Sequence, residues 1–156
     1  MFVEQRERSF DFVGARVVED AASRGPNGPR PPRPGMTLAE QIDESVAFLD
    51  GCFAIKPSEA DFRVALAYNM LVPSHVRAAI AGWTTDPVET VAKLGRVTVP
   101  TLVSHGRKDS VALPNAAETT ASIIRGARLS WYDACGHSPF CEDALRFNAE
   151  LAAFAK

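Results

Sequence analysis

Two short β-rich runs near the end of the chain constrain its fold more than any other feature. Residues 97–104 (Val-Thr-Val-Pro-Thr-Leu-Val-Ser) and 128–132 (Arg-Leu-Ser-Trp-Tyr) each lead into a polar turn. Residues 116–124 supply one helix between them, closing near Gly126. A last amphipathic helix follows over 142–154, with Phe147, Leu151 and Phe154 on one face. Strand, helix, strand, helix at this spacing predicts parallel strands joined by a right-handed crossover, and so an α/β fold. The first run is apolar throughout, as expected of a strand buried on both faces. Pro100 belongs at or near its start, because proline cannot donate to a central ladder.

The region upstream has a different character. Residues 1–22 read as one or two amphipathic helices carrying Phe2, Phe10, Phe12, Val13, Val17 and Val18. Residues 24–35 are dense in proline and glycine and predict a surface loop or linker. Thr37 and Glu40 have capping-box spacing, opening a helix through Ile42, Val46, Phe48, Leu49 and Phe53. Pro57 ends it. Ser58 starts another helix with Phe62, Leu66 and Met70 as its buried stripe, and Pro73-Ser74 opens a third over Val76, Ile80 and Trp83. Asp86 caps a fourth, with Pro87 at its first position and Gly95 at its end. The chain thus divides into a helical section, 1–95, and an α/β segment, 96–156.

Bulk properties exclude several functions. The 156 residues, 46% of them apolar, are enough for a buried core. Lys and Arg total 17 against 19 for Asp and Glu, a net charge of −2, which points away from nucleic acid and from anionic membrane surfaces. Cys52, Cys135 and Cys141 are an odd set without Cys-x-x-Cys spacing, so neither a disulfide framework nor a zinc site is expected and a cytoplasmic location fits. No apolar leader or membrane-length run is visible. No ligand cluster or glycine-rich phosphate loop implies a metal or organic cofactor.

The chemistry gathers just past the two strands, where parallel sheets place functional groups. Asp109 follows the first and His137 the second, an acid and an imidazole on neighbouring loops. Such a carboxylate can hold one ring nitrogen and fix the tautomer, and Gly106 and Gly136 permit the tight turns that project the two side chains. These are two members of a nucleophilic triad. No Gly-x-Ser-x-Gly segment supplies the third. Ser104 lies inside a strand, Ser138 and Cys135 flank the histidine too closely in sequence for in-line proton transfer, and Cys141 is expected to face helix packing. His105 reads as a turn residue supporting the strand end and His75 as a solvated helix-start residue. Met36, Met70, Trp83 and Trp131 read as packing residues. Trp83 and Phe53 read as core, or as the wall of a substrate pocket. Glu142 reads as a favourable charge in a helix's first turn.

These motifs carry a resemblance. Val99-Pro-Thr-Leu-Val-Ser-His-Gly-Arg-Lys-Asp109 looks like the acid-bearing segment of the α/β-hydrolase fold family, and Gly136-His137-Ser138-Pro139-Phe140-Cys141-Glu142 like its histidine segment. The resemblance implies that Asp109 is the triad acid and His137 the general base, with a helical cap within 1–95. The family places its nucleophile elbow upstream of both. Residues 1–156 would then be the cap and C-terminal part of such an enzyme, through truncation, gene splitting or a misplaced start. The complete form would hydrolyse a small apolar ester or related substrate through an acyl-enzyme. Two strands make a poor sheet, so self-association or a complementary N-terminal half is expected. The alternative is a non-catalytic helical interaction or ligand-binding module derived from a hydrolase.

Overall fold

The computed structural model describes residues 23–82 and 86–156; the expectations for residues 1–22 and for Trp83 lie outside them. Four helices come first: α1 (Leu38–Cys52), α2 (Glu59–Leu71), α3 (Ser74–Gly82) and α4 (Pro87–Leu94). Then follow β1 (Leu102–Gly106), α5 (Pro114–Ile123), β2 (Arg128–Tyr132), α6 (Pro139–Glu142) and α7 (Ala144–Phe154). The helix starts obey local capping chemistry. Thr37 accepts from the Glu40 amide while the Glu40 carboxylate accepts from the Thr37 amide at 2.8 Å, completing the capping box. Ser58 and Asp86 cap α2 and α4 by accepting from the Asp61 and Val88 amides.

The two strands pair in parallel, with Leu102 opposite Arg128 and Gly106 opposite Tyr132. The first strand starts later than the sequence predicts. Residues 97–101 lie outside it, and the ladder begins where the Arg128 amide donates to the Thr101 carbonyl at 2.9 Å. Pro100 cannot donate, and the pairing partner itself begins only at Arg128. The expected burial on both faces also fails. Leu102 to His105 are half-buried and only Gly106 is fully enclosed, because among the described residues the sheet has two strands.

Other departures are local. The helix predicted over 142–154 is α7 and starts at Ala144: Asp143 caps it, accepting from the Arg146 amide, and Glu142 ends the separate short helix α6. Cys141 is exposed rather than packed against a helix. The loop over 24–35 is no free linker. Arg24 bridges antiparallel to Ala112, and the Gly25 and Asn27 amides donate to the Val111 and Ser110 carbonyls at 3.0 and 3.1 Å. The stripe Phe62, Leu66 and Met70 is only half-buried, and Ile42 and Ile80 are exposed. Well-buried side chains instead gather where α1 meets the strand-end loops: Leu49, Cys52, Val111, Ala112, Tyr132 and Cys135. Helix α7 is fastened to β2 by Tyr132, whose hydroxyl donates to Glu150 at 2.7 Å and whose ring lies 4.0 Å under the Arg146 guanidinium.

Candidate active site

The parallel register brings the loops after β1 and β2 side by side. At the closest point Gly106 runs against the second loop: a Cβ there would overlap the Gly136 and Cys135 carbonyl oxygens. Gly136 is also tight, though less so, with the Ala54 amide nitrogen 2.8 Å from where a Cβ would sit. Close approach, rather than left-handed backbone, is why these two glycines are needed; among the described residues the glycines with positive φ are Gly35 and Gly126.

Asp109 sits in the first loop with its side chain only 2% exposed. One carboxylate oxygen accepts from the Val111 and Ala112 amides at 2.8 and 2.9 Å. The other lies 2.8 Å from His137 Nδ1. A carboxylate there can only accept, so Nδ1 carries the proton and Nε2 presents its lone pair. No described residue hydrogen-bonds His137 Nε2, and the imidazole is 24% exposed.

His105 is a strand residue, not a turn residue, and it is also part of this cluster. Its Nε2 donates to the Ala112 carbonyl at 3.1 Å and lies 3.4 Å from the Asp109 carboxylate, while Trp131 meets its ring edge-on. Burial holds the His105 imidazole below its ordinary pKa, with Asp109 and the Ala112 hydrogen bond opposing. Neutral His105 therefore backs the acid without competing for its charge.

Glu142 is where the sequence reading was most incomplete. Its carboxylate accepts from the Ala54 and Ile55 amides at 2.8 and 2.7 Å, from Gly136 at 2.9 and 3.0 Å, and from Ser138 at 3.1 Å. The spacing of Glu142 from His137 could have flagged it, since a carboxylate one turn on can reach back to its own loop's amides. The partners at 54 and 55 had no sequence signal.

The other candidate nucleophiles stand apart from this geometry. Ser104 lies in mid-strand opposite Ser130. Ser138 is buried and does not cap α6. Burial raises the Cys135 thiol, and desolvation followed by the Glu142 charge raises that of Cys141, so both resist forming thiolate. The third cysteine, Cys52, is pushed up to about 12, by burial first and then by Asp109. A cavity of about 270 Å³ lies between the proline-rich loop and helices α1 to α3, walled by Pro32, Met36, Phe48, Arg77 and Ile80, and Phe53 is not part of its wall. Asn27 stands at its edge and donates to Ser110 of the acid loop at 3.0 Å. Among the described residues no group of His, Cys, Asp and Glu could hold a metal ion, and no helix is long and apolar enough to cross a membrane.

No protein-family model matches the chain. A non-heme haloperoxidase of Rhodococcus erythropolis is 36% identical over 62 residues, which are 39% of this chain and 23% of that protein. Among solved structures, the esterase RhEst1 from a Rhodococcus species superposes with a TM-score of 0.73 at 25% identity, over 85% of this chain and 48% of its own. An aryl esterase described as putative, from Burkholderia cenocepacia, gives 0.69 at 27%, over 77% and 43%. A bromoperoxidase of Bacillus anthracis, at 19% identity, shares the fold with a TM-score of 0.65, over 75% and 44%. The chain spans less than half of each of these structures and 23% of the curated relative. Mixed α/β architecture and these neighbours together make the chain the C-terminal part of an α/β-hydrolase fold.

Proposed function

We propose that Asp109 and His137 are the acid and general base of a serine hydrolase whose nucleophile is supplied by residues outside these 156, and whose complete form cleaves a small apolar ester or related substrate. The observation that carries this reading is the 2.8 Å contact between Asp109 and His137 Nδ1, on adjacent loops past two parallel strands, with Nε2 left open. In that arrangement Nε2 takes the proton of an attacking serine hydroxyl and returns it to the leaving alkoxide. Asp109 stabilises the imidazolium formed between the two steps. Acyl transfer also needs an oxyanion hole, which we assign to the same absent part. Helices α1 to α4 would act as the cap over a small-molecule substrate. The three free thiols favour a reducing cytoplasm.

The test is to supply an elbow-bearing N-terminal half, in trans or as an upstream extension, and measure p-nitrophenyl ester hydrolysis. Activity should appear, and His137→Ala should lower it on the order of a thousandfold. Equal hydrolysis without His137 would overturn the assignment. One observation favours a second reading, a non-catalytic helical interaction module. Val64, Tyr68 and Leu71 stand exposed along one side of α2. A complemented chain that binds its partner but never turns over ester would select it.

A further inference from the structure

The end of α1 touches both catalytic loops. Ser110, next to the acid, donates to the Gly51 carbonyl at 3.0 Å, and the His137 amide donates to the Cys52 carbonyl at 2.9 Å. The amides on either side of His137, at 136 and 138, turn the other way and converge on Glu142. The same carboxylate then takes the Ala54 and Ile55 amides that follow α1. Three consecutive amides of the histidine loop are therefore fixed, all through a few residues of the helical section or through Glu142. No cation pairs with Glu142 among the described residues, so four backbone amides alone hold its charge.

We propose that Glu142 is a positioning residue for His137: it welds the histidine loop to the end of α1, which also carries the acid loop, and so sets the Asp109–His137 geometry. This rests on the acid–base reading above. Charge-assisted amide hydrogen bonds are short and directional. One acceptor shared by two chain segments fixes their separation in a way that separate bonds do not. Glu142→Gln keeps the size of the side chain but gives up half its acceptor capacity and turns an NH2 group toward amide donors. The loop should loosen while the surrounding packing stays in place.

The measurement is proton–nitrogen NMR of the 156-residue chain with labelled histidine. The unaltered chain should show His137 protonated at Nδ1, with a downfield hydrogen-bonded proton. E142Q should keep a cooperative thermal transition, yet exchange that proton on the order of tenfold faster or lose its resonance. Glu89→Gln, in an exposed pair with Lys93, should change neither. An unmoved His137 signal in folded E142Q overturns the clamp and leaves the acid–base pair standing. Absence of the Nδ1 proton in the unaltered chain overturns both. Should E142Q not fold, amide exchange in the unaltered chain decides. The 54, 55, 136 and 138 amides should open together, and much faster exchange at 54 and 55 than at 136 and 138 overturns the proposal.

Discussion

The strand-end loops and the helical section are built on different principles. Around Asp109 and His137 nearly every polar group has a named partner, and Asp109, Cys52, Tyr132 and Cys135 are almost fully enclosed. Helices α2, α3 and α4 contain no buried residue at all. They hold together through caps and a few polar links, chiefly Arg77, which donates to the Val72 carbonyl at 3.0 Å and to the Ser45 hydroxyl at 2.8 Å. The site is over-determined by its backbone, whereas the helices present apolar surface with little beneath it. The order of the strand-end loops therefore depends little on helices α2 to α4, and substitutions on the two sides should behave differently.

The sharpest contrast comes from the acid itself. Asp109→Ala strands the Val111 and Ala112 amides and removes the partner of two imidazoles. The chain should lose about 3 kcal/mol or more, read as a fall in the urea midpoint. A loss no larger than that from a helix-surface substitution would erase the distinction. Next come two glycine-to-alanine changes of opposite sign. Gly106→Ala forces a Cβ into the Cys135 and Gly136 carbonyls and should cost about 2–3 kcal/mol. Gly82→Ala at the end of α3 meets nothing within 4 Å and should stabilise by about 0.4–1 kcal/mol. If both destabilise alike, the helical section is packed more tightly than its exposure indicates.

The comparison also explains what the sequence could reveal. Caps at Thr37, Ser58 and Asp86, the strand at 128–132 and the Asp109–His137 pair are written in residues a few positions apart or in turns that follow strands directly. The late start of β1 was not legible, because Pro100 marks where pairing cannot occur but only Arg128 decides where it begins. The Arg24 bridge was equally hidden: a segment rich in proline and glycine gives no sign of a partner at Ala112. Glu142 does stand in a helix's first turn, as its sequence position predicts, but its wider role is hidden for the same reason. Its nearby partners, 136 and 138, fall within its own turn, but the amides at 54 and 55 belong to another part of the chain. Half-buried stripes on α2 and α3 were overestimated because periodicity shows which side is apolar, not whether anything covers it.

A smaller effect separates the two regions by pH. Burial holds the folded pKa of His105 below its ordinary value of 6.5, so the unfolded chain binds more protons there as the medium becomes acidic. Stability from this group is therefore fully present above about pH 6.5 and is lost as pH falls below it. His105→Gln keeps a donor for the Ala112 carbonyl but cannot titrate. Thermal midpoints measured from pH 8 to pH 5 should fall less steeply in this variant than in the unaltered chain. Equal slopes would mean that His105 carries none of the acid sensitivity and that its neutral form is not what the packing around Asp109 selects.

The smallest effect belongs to the exposed face of α2. Leu71 is 75% exposed, and with Val64 and Tyr68 it forms an apolar line facing outward. Leu71→Gln removes little that is buried, so the urea midpoint of the dilute chain should stay within about 0.5 kcal/mol of the original. Sedimentation measured alongside gives this null result its meaning. If the unaltered chain is monomeric and L71Q is silent, the helical section is loosely held on its own account. If the midpoint of the unaltered chain rises with concentration and L71Q removes that dependence, the line on α2 is covered by a second copy. The looseness seen in one chain would then be the open half of an interface, whereas the strand-end loops draw their order from contacts within the chain.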